Sequence, residues 1–287
     1  MALQIETFKK RTLTAVIFAA VMLAGLLINR WSFFALFTII HFGCWIEYQK
    51  IMGLIDPLYA QIKSSLKYGV MLIGWFFMMY MTNHQFKVNT MELQGIGWLF
   101  LLLTSIVLLA IEVVFKKELR IKNILIAGAG LLYISLSWGL MMDIRLMNTD
   151  SLPGNIGWML PVILIASIWI NDTMAYIVGS FIGKTPFSKI SSKKTWEGTI
   201  GGAVLAIVAV TVFCHFYVPL NDKIVAGIAG IAAIVGTAGD LLESKLKRMA
   251  GVKDSGSIMP GHGGFLDRFD SLLLATPFVW LFLKLFA

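Results

Sequence analysis

Long apolar runs separated by short polar clusters organise this chain from end to end. Nine such runs, at roughly 12–28, 31–49, 67–82, 95–115, 124–142, 156–182, 199–218, 224–243 and 270–286, predict nine helices. Most approach the roughly 20 residues that a helix needs to cross a hydrocarbon core. The first and third are short, and the sixth is long enough to be tilted or broken. The pattern predicts an all-α, polytopic integral membrane protein of about nine transmembrane helices. It forms a single membrane domain over 1–287, with 1–145 mainly scaffold and 155–287 carrying catalytic helices and cytoplasmic loops. Neither a fixed-period repeat nor a low-complexity linker argues for separate soluble domains.

Composition agrees, with 58% hydrophobic and 14% charged residues. If Lys9, Lys10 and Arg11 are cytoplasmic, only Arg30, Lys87, Arg145, Lys223 and Lys284 of the 24 Lys and Arg fall outside, which sets the orientation by the positive-inside rule. The basic start followed by apolar residues 13–28 has the outline of a secretory signal, but the next apolar run begins almost at once, so it reads as an uncleaved first span. The net charge of +8 lies in short loops beside spans. That placement argues against nucleic acid and for anionic headgroups and phosphate substrates. Cys44 and Cys214 sit in separate apolar runs and read as packing residues.

Polar chemistry concentrates in the second half. Asp172 interrupts an apolar run, where a carboxylate is expensive and must face protein or water. With Asn171 and Thr173 it predicts a helix break able to hold a hydrated cation or a nucleotide, with Tyr176 on the same face; a structural carboxylate bonded to a neighbouring helix is the plainer alternative. Ser191, Ser192, Lys193, Lys194 and Thr195 precede the next helix, where hydroxyls, ammonium groups and unpaired N–H groups suit an anion, although topology alone also places lysines there. Asp240, Glu243, Ser244 and Lys247 fall at helical offsets along one face, and Glu243 with Lys247 has the spacing of a simple i,i+4 pair. In PGHGGFLDRFDS, the glycines allow close backbone approach, Asp267 and Asp270 share a face, and Arg268 offers a phosphate fork. Carboxylates for a divalent cation together with cations for phosphates suit phosphoryl or nucleotidyl transfer.

These segments resemble the phosphatidate cytidylyltransferase family. Its C-terminal signature is matched by Ser244, Leu246, Lys247, Arg248, Lys253, Asp254, Pro260, Gly261, His262, Gly263, Gly264, Asp267, Arg268 and Asp270. NDTMAYIVGSFIGK, SSKKTWEG and GDLLES add to the likeness, with Ser192 where proline is expected. The resemblance implies transfer of CMP from CTP to phosphatidic acid, with release of pyrophosphate and formation of CDP-diacylglycerol. It implies Mg²⁺ on Asp240 and Asp267, with room for a second cation near Asp172 or Asp270.

Lys247, Arg268 and His262 join the two aspartates as catalytic candidates. Asn171, Asp172, Ser191, Lys193, Lys194, Thr195, Arg248, Lys253, Asp254, Gly263, Gly264 and Asp270 are the substrate-binding candidates. His262 is expected to set turn geometry or bond phosphate, because an ionised lipid phosphate needs no general base. The expected setting is a bacterial inner membrane with the N-terminus and site cytoplasmic, and a homodimer is left open. A transporter with broken helices and a membrane transferase for another phosphate substrate are the rival readings.

Overall fold

The computed structural model describes residues 5–114, 120–147, 156–188, 190–191, 194–257 and 263–287. Among the described residues the body of each predicted run is helical, with ends that differ by up to three residues. In chain order these are α1 (Ile5–Leu27), α2 (Arg30–Ile55), the one-turn α3 (Pro57–Ala60), α4 (Ser64–Tyr80) and α5 (Leu93–Val114), with a small hairpin of β1 (Lys87–Val88) and β2 (Met91–Glu92) before α5. Then come α6 (Ile121–Gly130), a π-helical turn (Leu131–Ser135), α7 (Leu136–Leu146), α8 (Met159–Ile182), α9 (Trp196–Tyr217), α10 (Asp222–Met249) and α11 (Leu266–Phe286).

Among the described residues, six helices are long and apolar enough to cross a membrane: Leu93–Glu112, Ile121–Leu146, Met159–Ile182, Trp196–Tyr217, Asp222–Met249 and Leu266–Phe286; Thr12–Leu27 is a shorter apolar stretch. Leu99, Leu103, Ile106 and Leu109 of α5 leave about half or more of their surface uncovered. So large an apolar face belongs against lipid. This is an all-α integral membrane protein.

The chain divides into two compact units, Met1–Gly139 with Met249–Arg268, and Leu140–Arg248 with Phe269–Ala287. In the first, Asn29 caps α2 by accepting from the Trp31 and Ser32 amides at 2.8 and 2.9 Å, a satisfied N-terminus of the usual Asx kind. The apolar side of α2, including Phe33, Phe37, Ile40, Trp45 and Ile51, is buried. At the π turn, Ser135 Oγ accepts from Trp45 Nε1 at 2.9 Å and lies 3.1 Å from His41 Nε2. Asp56 closes α2 and caps α3, accepting from the Leu58 amide at 3.1 Å, while Lys122 and Arg120 pair with it at 3.0 and 3.1 Å.

In the second unit, Gly198 and Gly202 of α9 meet the backbone of α8 at Ala175 and Gly179, small-residue packing of the kind that lets membrane helices touch. Asp143 of α7 accepts from Trp280 Nε1 at 2.7 Å and pairs with Lys284 at 3.0 Å, fixing the far end of α11.

The expected break at Asn171, Asp172 and Thr173 does not occur, because α8 is continuous through all three. The Thr173 hydroxyl donates to the Trp169 carbonyl at 2.7 Å, satisfying its polarity within the helix.

Candidate active site

Each unit gathers one group of polar residues. In the second, α10 runs to Met249, several residues past the end of its apolar run, and so carries Asp240, Glu243 and Lys247 on one helical stripe. Gly239 allows α11 to approach this face, since a Cβ there would stand 2.5 Å from the Asp270 carbonyl oxygen. In consequence Asp240, Glu243 and Asp270 each present a carboxylate oxygen within 4.8 Å of the others. Glu243 and Asp270 are buried, at 1% and 8% exposure. Lys247 stands 2.6 Å from Glu243, and Lys194, from the loop before α9, forms an ion pair with Asp240.

Were all three ionised, each pair would repel by about 3 kcal/mol or more at an effective dielectric of about 20. Two ammonium groups offset part of that repulsion. All-oxygen donors at this separation also fit a hard divalent cation, whose ligands stand roughly 2.0–2.6 Å from the ion.

Asn171 of α8 is 3% exposed, and its Oδ1 lacks a hydrogen-bond partner among the described residues. Ile168, one turn earlier on α8, lies 3.8 Å from where a Cβ on Gly236 would be, so α8 packs against α10 one turn before Asp240. Asp172 and Tyr176 lie on the exposed side of α8.

The loop from Gly183 to Thr195 is folded back on α9. Phe187 N donates to the Lys194 carbonyl at 2.8 Å and Trp196 N to the Thr185 carbonyl at 3.0 Å. Glu197 accepts from the Lys184 and Thr185 amides at 3.2 and 3.1 Å, and Thr195 Oγ1 caps α9 through the Gly198 amide at 3.2 Å. The loop therefore presents Lys194 from a defined frame. Ser191 is half-buried there; Lys193 lies outside the described residues.

The signature loop belongs to the first unit. Asp267 Oδ2 accepts from the Ser255 amide at 2.9 Å and the Gly264 amide at 2.7 Å. Gly263 has φ +84, and a Cβ there would strike the Asp267 carboxylate, so glycine is required on both conformational and steric grounds. Lys253, Asp254 and Arg268 are exposed in this unit, and Arg248 is exposed at the end of α10. His262 lies outside the described residues, with Pro260 and Gly261. The converging carboxylates thus include Asp240 of the expected metal pair and add Glu243 and Asp270, while Asp267 organises its own loop.

Sequence reasoning missed Glu47. This α2 residue is 7% exposed and accepts from the Phe265 and Leu266 amides, each at 2.9 Å. An acidic residue inside the apolar run 31–49 was the available signal.

The sequence matches the cytidylyltransferase family over residues 9–286. The chain belongs to that family. It is similar to the phosphatidate cytidylyltransferase of Bacillus subtilis, 34% identical over 221 residues covering 76% of this chain and 78% of that protein. It is 30% identical to the Haemophilus influenzae phosphatidate cytidylyltransferase over 283 residues, 94% of this chain and 96% of the relative. The Synechocystis phosphatidate cytidylyltransferase is 41% identical over 133 residues, 45% of this chain and 44% of its own. In this family member the triad and its two lysines all fall inside the matched span.

Proposed function

We propose that the protein transfers the cytidylyl group of CTP to phosphatidic acid, giving CDP-diacylglycerol and pyrophosphate. The observation that carries this reading is the convergence of Asp240, Glu243 and Asp270, with Lys194 and Lys247 against them. It occurs in a chain similar over most of its length to proteins named for that activity.

An oxygen of the lipid phosphate attacks the α-phosphorus of CTP, and a phosphoanhydride bond forms as the bond to the β-phosphate oxygen breaks. The electron pair leaves with pyrophosphate. The attacking oxygen is already anionic near neutral pH, so no side chain need remove a proton and His262 is not assigned as a base. Asp240, Glu243 and Asp270 would hold Mg²⁺, which when bound neutralises charge on the phosphates undergoing substitution. Lys194 and Lys247 balance the triad and bring positive charge to the triphosphate. Asn171 supplies a buried amide oxygen beside α10. Lys193, Arg248, Lys253 and Arg268 are assigned to the triphosphate and the lipid phosphate, and Asp267 to shaping the loop that carries Arg268.

The same reading takes all nine apolar runs of the sequence as spans, with the N-terminus and site on the cytoplasmic side of a bacterial inner membrane. It is supported by the bias of Lys and Arg toward that side. CTP then arrives from water while the lipid phosphate stays at headgroup depth.

The test is purified protein in detergent micelles with phosphatidic acid and CTP labelled at the α-phosphate. Label should enter a chloroform-soluble product with CTP and not with labelled ATP or a UDP-sugar; no CTP-dependent transfer would overturn the assignment.

A further inference from the structure

The N-terminal unit is not solely scaffold. Glu47 projects from the middle of α2 into the start of α11. Its Oε1 accepts from the Phe265 amide and its Oε2 from the Leu266 amide, both at 2.9 Å. These N–H groups open α11, where amides have no partner inside the helix and a carboxylate is favoured by the helix dipole. Four residues earlier, Gly43 receives the Phe265 ring so closely that a Cβ on Gly43 would overlap it. Gly256 and Gly264 lie against the Glu47 carboxylate itself, where a Cβ on either would strike Oε1. Gly256, Gly264 and Phe265 are thus packed around α2 at Gly43 and Glu47.

Ser255 connects this anchor to Asp267. Its Oγ stands 2.6 Å from Glu47 Oε2 and 2.9 Å from Asp267 Oδ2, and accepts from the Asp267 amide at 3.3 Å. The hydroxyl has one hydrogen, so it serves one carboxylate at a time, and a change at Glu47 is felt at Asp267. Asp267 and Arg268 occupy the first turn of α11, and Asp270 lies one turn along the same helix.

We infer that Glu47 is a positioning residue for the transfer reaction, acting through Ser255 and the N-terminus of α11 to fix the setting of Asp267 and Arg268. The inference rests on the cytidylyl-transfer reading. The positions that shape the contact, from α2 and from the signature loop, are 208 or more residues apart in sequence. A purely apolar α2 would leave the Phe265 and Leu266 amides without these acceptors.

The experiment compares the parental protein, Glu47→Gln, Ser255→Ala and the double variant. Each is purified as a monodisperse detergent complex, and kcat and KM for CTP are measured per folded molecule alongside Tm. Parental turnover is established first, so failure of the functional reading appears there and is separate from failure of this inference. Glutamine retains the volume but turns an amide NH₂ toward backbone donors. Glu47→Gln should lower kcat about 10- to 100-fold, the usual effect of losing an orienting partner, with KM for CTP changed less than about threefold. Ser255→Ala should lower kcat about tenfold, and the double variant should be no worse than the poorer single variant, because both act through one linkage. A folded Glu47→Gln within about threefold of parental kcat would overturn the inference. Should Glu47→Gln not fold, parental kcat in Ser255→Ala would overturn it equally, as would losses that multiply in the double variant or appear only in KM.

Discussion

Lys194 Nζ forms an ion pair with Asp240, joining the loop ahead of α9 to the one half-exposed carboxylate of the triad. The pair is only partly shielded, with side-chain exposures of 31% and 26%. Its importance therefore lies in charge placement more than in folding stability, since exposed pairs contribute little. Lys194→Met should leave Tm within about 2 °C of parental and raise KM for CTP by about tenfold or more, with Lys194→Arg intermediate. Steady-state kinetics at saturating lipid check this, and an unchanged KM would remove Lys194 from the nucleotide site.

Asp240, Glu243 and Asp270 lie within 4.8 Å of one another, so their replacements should not be additive. Asp240→Asn and Asp270→Asn should each cut transfer by at least about 10³-fold while the protein remains folded. Less complete loss is expected for Glu243→Gln, which keeps a ligand oxygen but removes the charge of a buried carboxylate paired with Lys247, a change that also lowers Tm. Transfer by the single and double variants across a Mg²⁺ titration separates these effects.

Glu197 holds the loop from Gly183 to Thr195 through the Lys184 and Thr185 amides. Glu197→Ala removes those acceptors and should release the loop. The expected outcome is faster tryptic cleavage at Lys184 and a several-fold higher KM for CTP, with little change in Tm. Cleavage at the parental rate would argue against that anchoring role.

Acid sensitivity should arise partly from Asp56, whose carboxyl is held down to about 2 by its bond to Lys122, then by Arg120 and the Leu58 amide. A folded-state value below the ordinary one near 3.9 gives stability that is full above about pH 4 and lost as pH falls toward about 2. The Tm difference between parental protein and Asp56→Asn should thus be largest near neutral pH and shrink below about pH 4. A difference that grows on acidification would contradict the assignment.

Much of this architecture was legible because helix length and apolar runs are set by the same bilayer thickness. Among the described residues the body of every predicted run is helical, and the alignment of Asp240, Glu243 and Lys247 follows from the 3.6-residue period. What periodicity does not contain is the partner of each helix face. Asp270 joins Asp240 only because Gly239 permits α11 to touch α10, a contact between chain segments distant in sequence. Glu47 escaped notice because its partners lie more than 200 residues away. The break expected at Asn171 to Thr173 failed because a Thr hydroxyl can bond within its own helix, so polar residues in a span need not interrupt it.

The central claim is that Asp240, Glu243 and Asp270 together hold a divalent cation. Crystals of the purified protein soaked in Mn²⁺ and measured at the manganese edge address it most directly. An anomalous peak within about 2.5 Å of oxygens from these three carboxylates, absent in Asp240→Asn, is the predicted result. A fully occupied peak elsewhere, with none among the three, would contradict it.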